Sequence, residues 1–245
     1  MKDNFSKQAS AYAQFRPSYP IELIEYIISF VKEKELAWDC GTGNGQSAKL
    51  LSYYFQKVFA TDISEKQLGN AHQEPNIFYA AEPAESTALA DRSVDLITVA
   101  QAIHWFNFQS FYAEVNRVAK PGAVIAVWMY SLLHISKEID GIIAEYHYET
   151  LKDFWDPERK YVDDDYAGIP FPFPEIKTGP FGIELNWSLE ELHGYLNTWS
   201  ALQKFIAANS FDPVHDVMNK IKQHWGNSTK RKIIFPIHLK LGIIA

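Results

Sequence analysis

The run Ala37-Trp38-Asp39-Cys40-Gly41-Thr42-Gly43-Asn44-Gly45 joins a short apolar stretch, one carboxylate and three alternating glycines. Such a run reads as a strand entering a glycine-rich turn that opens a helix, where the backbone can approach a ligand at the positive helix end. A dinucleotide fold prefers glycine at the sixth place of G-x-G-x-x-G, but Gln46 stands there. The acidic Asp39, two residues before Gly41, suits a ligand with positive charge better than a pyrophosphate. Asp39, Gly41, Thr42, Gly43 and Gly45 are therefore expected to bind a cofactor, against the alternative of a purely structural turn.

Further chemistry lies at the ends of later strand-like segments. Asp62 stands 17 residues after Gly45, where a doubly wound fold places an acid that accepts bonds from ribose hydroxyls. Ser64 and Gln67 have capping-box spacing, which leaves Asp62, with Ile63 beside it, available to a ligand instead of to the helix. Ala84 and Glu85, in Ala81-Glu82-Pro83-Ala84-Glu85, are expected beside an adenine edge. After the next strand comes Ala100-Gln101-Ala102-Ile103-His104-Trp105-Phe106, at the carboxyl end of the sheet where such folds bind ligands. Gln101 is expected to face the cofactor, and His104, Trp105 and Tyr130 the reacting centre. A structural role for His104 and Trp105 stays open. Tyr12 and Arg16, within Tyr12-Ala13-Gln14-Phe15-Arg16-Pro17-Ser18-Tyr19-Pro20, are expected to fold over the cofactor as a cap.

These residues must be held by elements that the pattern predicts in alternation. A helix from Ile21 to Lys32 precedes a strand from Leu36 to Asp39, a helix around Ser47 to Tyr54, and a strand from Lys57 to Thr61. Ile77 to Ala80, Val94 to Ala100 and Ala123 to Met129 are further strands, the last introduced by a Lys120-Pro121-Gly122 turn. Beyond Tyr130 the rhythm changes. A helical stretch runs from Lys137 to Phe154, and the segment with Pro170, Pro172, Pro174 and Pro180 reads as an insertion or lid. Phe181 to Trp187 is a strand, two helices follow around Leu189 to Ala208 and Pro213 to Trp225, and Ile233 to Ile244 closes as a strand. The expected organisation is one domain over 1–245, with a cap arm at 1–20 and substrate-side helical insertions at 131–180 and 189–225.

Composition excludes several classes. The 245 residues are 47% hydrophobic, enough for a sizeable core, and the single cysteine, Cys40, makes neither a disulfide nor a Cys-rich metal site, so no metal is expected. A formal charge of −7 argues against a nucleic-acid partner, and no run reaches the roughly 18 apolar residues of a membrane span. A cytoplasmic monomer or homodimer is expected.

The arm motif, the glycine motif, Ala-Gln-Ala-x-His-Trp-Phe, Lys-Pro-Gly and Thr198-Trp199-Ser200-Ala201, in this order, resemble the trans-aconitate methyltransferase-like subgroup of Rossmann-like methyltransferases. The resemblance implies S-adenosylmethionine as cofactor, with S-adenosylhomocysteine as product. It also implies a doubly wound, seven-stranded, mostly parallel α/β sheet with an antiparallel last strand, and a small-molecule acceptor methylated on a carboxylate oxygen. It brings Trp199 to the acceptor pocket. Pro83 departs from the polar residue common there. A carboxylate needs no base, whereas a hydroxyl or amine acceptor would use His104 as one. Two rivals remain at this point: a protein that binds the cofactor without turnover, and a nicotinamide oxidoreductase, which Gln46 disfavours.

Overall fold

Apolar residues at every second position build strands with two buried faces, and apolar stripes at helical spacing cover them. The computed structural model describes residues 15–245, so Tyr12 lies outside the described residues. In chain order the first half forms α1 (Ile21–Ile28), β1 (Leu36–Cys40), α2 (Gln46–Ser52), β2 (Lys57–Asp62), α3 (Glu65–Leu68), β3 (Ile77–Ala81), β4 (Val94–Ala100), α4 (Phe108–Val118) and β5 (Ala119–Tyr130). The second half forms α5 (Lys137–Glu145), α6 (Arg159–Asp163), β6 (Phe181–Trp187), α7 (Leu189–Asn197), α8 (Ser200–Asn209), α9 (Val214–Trp225) and β7 (Arg231–Ile243).

The strands make one seven-stranded sheet in the order β3-β2-β1-β4-β5-β7-β6. The first five run parallel, and β7 lies antiparallel between β5 and β6. This is the doubly wound α/β architecture that the sequence predicts. Strand order reverses between β1 and β4, so the connections after these two strands diverge and open a crevice at their carboxyl ends.

Alternation along β5 shows how both faces are buried. Val124, Ala126, Trp128 and Tyr130 join a core that includes α1, α2 and the helices α7 to α9. Ala123, Ile125, Val127 and Met129 join a second core under α4, to which Val162 of α6 and Tyr166 also belong. No helix among the described residues is long and apolar enough to cross a membrane.

Three expectations about elements need correction. The Lys120-Pro121-Gly122 turn is a bulge inside β5, with Gly122 at φ 81°, because Ala119 already pairs with Val94 and the register resumes at Leu96 opposite Val124. The stretch from Leu189 to Ala208 is two helices, α7 and α8, which break at Thr198-Trp199. The region from Lys137 to Phe154 continues past α5 as a π-helical turn (Tyr146–Thr150) and a short 3₁₀ turn (Lys152–Phe154). The proline-rich segment, expected as an insertion or lid, packs along α4 and β7. Its Pro170 carbonyl accepts from the Tyr112 hydroxyl, Phe173 packs against Tyr112, and the Ile176 amide donates to the Leu241 carbonyl.

One buried carboxylate sets the far end of the sheet. Asp95 accepts the backbone amides of Glu35 and Leu36, each at 2.9 Å, and pairs with Lys120 at 2.7 Å, which ties the starts of β1, β4 and β5 together. Asp95→Ala removes the acceptor of two amides and a charge partner in one step, so it should destabilise the fold by roughly 2–4 kcal/mol in urea melts. A loss below about 1 kcal/mol would show that water takes over these bonds.

Candidate functional site

Two clefts meet at the carboxyl ends of β1, β2, β4 and β5. The larger, of about 970 Å³, is bounded by the glycine turn, Asp62, Ile63, Gln101 and Tyr130, with Tyr19 over one side. The smaller, of about 540 Å³, is walled by His104, Trp155, Asp156, Arg159 and Ser200. Arg16, Gln101 and Trp105 line both. A group passing from one cleft to the other passes these three side chains.

Local structure explains how the larger cleft is built. Gly41 and Gly43 have φ of 69° and 56°, a region that residues with a Cβ rarely adopt. A Cβ at Gly41 would stand 2.5 Å from Ala102 Cβ, so this glycine lets the β1 turn pass the β4 turn. A Cβ at Gly43 would meet nothing within 4 Å, so this glycine faces open space in which a ligand can approach the backbone. Gly45 does not border the cleft; it backs against the Tyr79 ring.

Asp39 is buried at the floor, where its carboxylate accepts from the hydroxyls of Thr42 (2.5 Å) and Thr98 (2.7 Å). Burial pushes its pKa up to about 6, against the pull of those bonds. Asp62 is not left available in the sense expected from a complete capping box. Its two oxygens accept from the amides of Gly43 and Ser64, each at 2.9 Å, while Ser64 Oγ accepts from the Gln67 amide. The carboxylate thus already braces the glycine turn against the start of α3, and its edge borders the cleft.

Ala84 and Glu85 do not line either cleft. Ala84 is core, and Glu85 accepts the Asn107 amide at 2.8 Å, securing the start of α4. Arg16 enters from the arm: Nη1 donates to the Tyr130 hydroxyl at 3.1 Å, and the guanidinium lies 5.4 Å from the Tyr195 ring centre. Phe15 beside it seats on α7 where Gly194 leaves room for the ring. Gln101 has φ 56°, with its amide bonded to the Trp128 carbonyl and its side-chain Nε2 to the Tyr130 carbonyl at 3.2 Å.

His104, Trp105 and Tyr130, expected together at the reacting centre, are spread over the two adjoining clefts. Tyr130 borders the larger cleft, His104 the smaller, and Trp105 both. His104 does not titrate near neutrality, because burial and the Arg159 charge lower its pKa to about 3. Trp199 is core, stacked on Tyr146 at 5.5 Å and edge-on to His147, and Trp155 fills the wall in its place. Arg159 escaped the sequence reading. Its guanidinium lies over the Trp155 indole, 4.6 Å from the ring centre.

Residues 38–127 match the methyltransferase domain family. A Dictyostelium discoideum protein named as a methyltransferase is 35% identical over 248 residues, covering 98% of this chain and 94% of its own. The chain belongs to the S-adenosylmethionine-dependent methyltransferases. A Saccharomyces cerevisiae protein named as an S-adenosylmethionine-dependent methyltransferase is 28% identical over 176 residues, 68% of this chain and 59% of its own. The solved structure of an Anaeromyxobacter dehalogenans protein named as a type II methyltransferase superposes with TM-score 0.87 at 36% identity, covering 94% of this chain and 98% of that one.

S-adenosylmethionine is the cofactor this family implies, and the larger cleft fits it. The open space at Gly43 admits a ligand against the backbone, and the carboxylates of Asp39 and Asp62 suit a sulfonium, an ammonium and ribose hydroxyls.

Two measurements test this cleft. Asp39 must be ionised to attract a cation, so affinity should rise with pH through about 6, and S-adenosylmethionine should bind about tenfold more weakly at pH 5 than at pH 7 by calorimetry. Asp39→Asn should flatten that profile; a flat wild-type profile would remove Asp39 from the binding equilibrium. Gly43→Ala should fold with a loss of about 1–2 kcal/mol from its left-handed backbone yet bind the cofactor at least tenfold more weakly. Gly41→Ala should instead mainly lower the melting temperature.

Proposed function

We propose that this methyltransferase esterifies a small organic acid, transferring the methyl group to a carboxylate oxygen held in the smaller cleft. The observation that carries the reading is the pairing of two guanidinium groups, Arg16 and Arg159, with a neutral histidine in that cleft. Asp156, the carboxylate in the same wall, is engaged by Lys204 at 2.6 Å. The wall therefore favours an anion and supplies no evident base, which matches a carboxylate, already ionised near pH 7. The resemblance to the trans-aconitate methyltransferase-like subgroup points the same way.

When bound, S-adenosylmethionine supplies an electrophilic methyl carbon, and the C–S electron pair stays on sulfur as the carboxylate oxygen forms the new C–O bond. The protein's part is positional. Arg16, Gln101 and Trp105 stand where the clefts join and aim the acceptor oxygen at the methyl. Trp105 and Tyr19 screen the junction from water. Arg159, fixed over Trp155 and bonded to Asp163 at 3.0 Å, holds the acid from the far side.

The protein should transfer labelled methyl from S-adenosylmethionine to members of a panel of small carboxylic acids, giving label that alkali releases as methanol, and not to matched phenols or amines. Arg159→Met should raise the acceptor KM by about 10–100-fold, the worth of a charge-assisted bond, with cofactor affinity unchanged. Label on phenols or amines, with none on acids, would overturn the reading.

A further inference from the structure

Immediately after α6 the chain takes two successive left-handed residues, Asp165 at φ 49° and Tyr166 at φ 62°, neither of them glycine or asparagine. Each such residue costs free energy unless its surroundings compel it. Three backbone bonds do so: Asp165 to the Val162 carbonyl, Tyr166 to that of Tyr161 at 2.8 Å, and Ala167 to that of Asp164. The effect is to turn the Tyr166 side chain inward. It is fully buried in the core under α4, and its hydroxyl lies 2.8 Å from His104 Nδ1.

Proton bookkeeping decides the direction of that bond. No other hydrogen-bond partner reaches Tyr166 Oη among the described residues. Were Nδ1 the donor, the phenolic hydrogen would be buried without an acceptor, which native interiors avoid. Burial also keeps the phenol protonated by raising its pKa. The hydroxyl therefore donates to Nδ1, and the ring hydrogen sits on Nε2, the nitrogen left for the smaller cleft that His104 lines.

We propose that Tyr166 is a positioning residue that fixes His104 as the Nε2–H tautomer, so that the imidazole presents a hydrogen-bond donor, and not a base, to the acceptor. The role toward the acceptor rests on the esterification reading; the tautomer does not. A donor at this place binds one oxygen of a carboxylate and leaves the other to attack, and no proton changes hands in the transfer. The strained turn is the device that brings the hydroxyl to the ring, since an ordinary right-handed continuation of α6 would carry Tyr166 elsewhere.

The test is a long-range proton–nitrogen correlation spectrum of the nitrogen-15-labelled protein with S-adenosylhomocysteine bound, the His104 signals being identified by their loss in His104→Gln. Wild type should show an unprotonated Nδ1 and a protonated Nε2, and Tyr166→Phe should show mixed or exchanged tautomers. The same variant should lose about tenfold in turnover of the acids, with cofactor affinity unchanged and the melting temperature lowered by no more than about 4 °C. A wild-type Nδ1–H tautomer overturns the proposal, and that spectrum alone decides it if Tyr166→Phe does not fold. Unchanged tautomer or unchanged turnover in a folded Tyr166→Phe also overturns it. Failure of every acid as a substrate of wild type overturns the esterification reading and the role toward the acceptor, while the spectrum still decides the tautomer.

Discussion

Asp39 is carried wholly out of water at the point where β1 and β4 part, and the rest of the site is arranged around that burial. A carboxylate in such a place resists ionisation, which the raised pKa of about 6 expresses. Thr98 on β4 and Thr42 in the glycine turn supply the hydroxyls that keep it tolerable, so the same bonds that satisfy the acid also join the two diverging connections. A ligand cation above it would relieve the remaining cost. The geometry of the strand ends and the chemistry of the cofactor thus meet in one side chain.

The second consequence of the divergence is Gln101. Directly after β4 the chain must turn away from the glycine loop, and Gln101 does so in a left-handed conformation held by the carbonyls of Trp128 and Tyr130. That anchoring to β5 leaves the side chain at the boundary of both clefts. Strain of this kind persists only when neighbours over-determine it, and here both neighbours lie in the last three residues of β5. The Gln101 side of the junction between the clefts is therefore set by the sheet.

How much of this the sequence carries depends on the range of the interaction. Asp39, the glycines, Asp62, Gln101 and Tyr130 lie within a residue or two of strand ends, and period-two burial with glycine punctuation locates strand ends well. The Lys120-Pro121-Gly122 bulge was misread as a turn because a proline and a glycine punctuate both, and only the pairing of Ala119 with Val94 tells them apart. The Ser64 cap on Gln67 was legible from its spacing, but the bond of Asp62 to the Gly43 amide, 19 positions away, was not. His104 was legible as a position and not as a chemistry, since its pKa follows from burial and from Arg159, 55 positions downstream. Arg159, Trp155 and Tyr166 belong to a region of short, irregular turns in which Trp155 docks onto the first core and Tyr166 onto the second, and such docking leaves no periodic trace.

The charges so placed have a direction. Asp39 and Asp62 border the cleft that suits the cation, and Arg16 and Arg159 border the one that suits the anion, with Arg16 shared at the boundary. In the proposed reaction a sulfonium and a carboxylate become a thioether and an ester, so the two reacting charges cancel. Opposite charges brought together where water is thin attract strongly, which favours approach along the line that joins the clefts. In that reaction, once the methyl had moved, an acid held by Arg159 would have become a neutral ester and the cofactor in the cleft of Asp39 a neutral thioether. Each fixed charge would then hold its product less tightly than its substrate, so the arrangement that gathers the reactants would also favour their release.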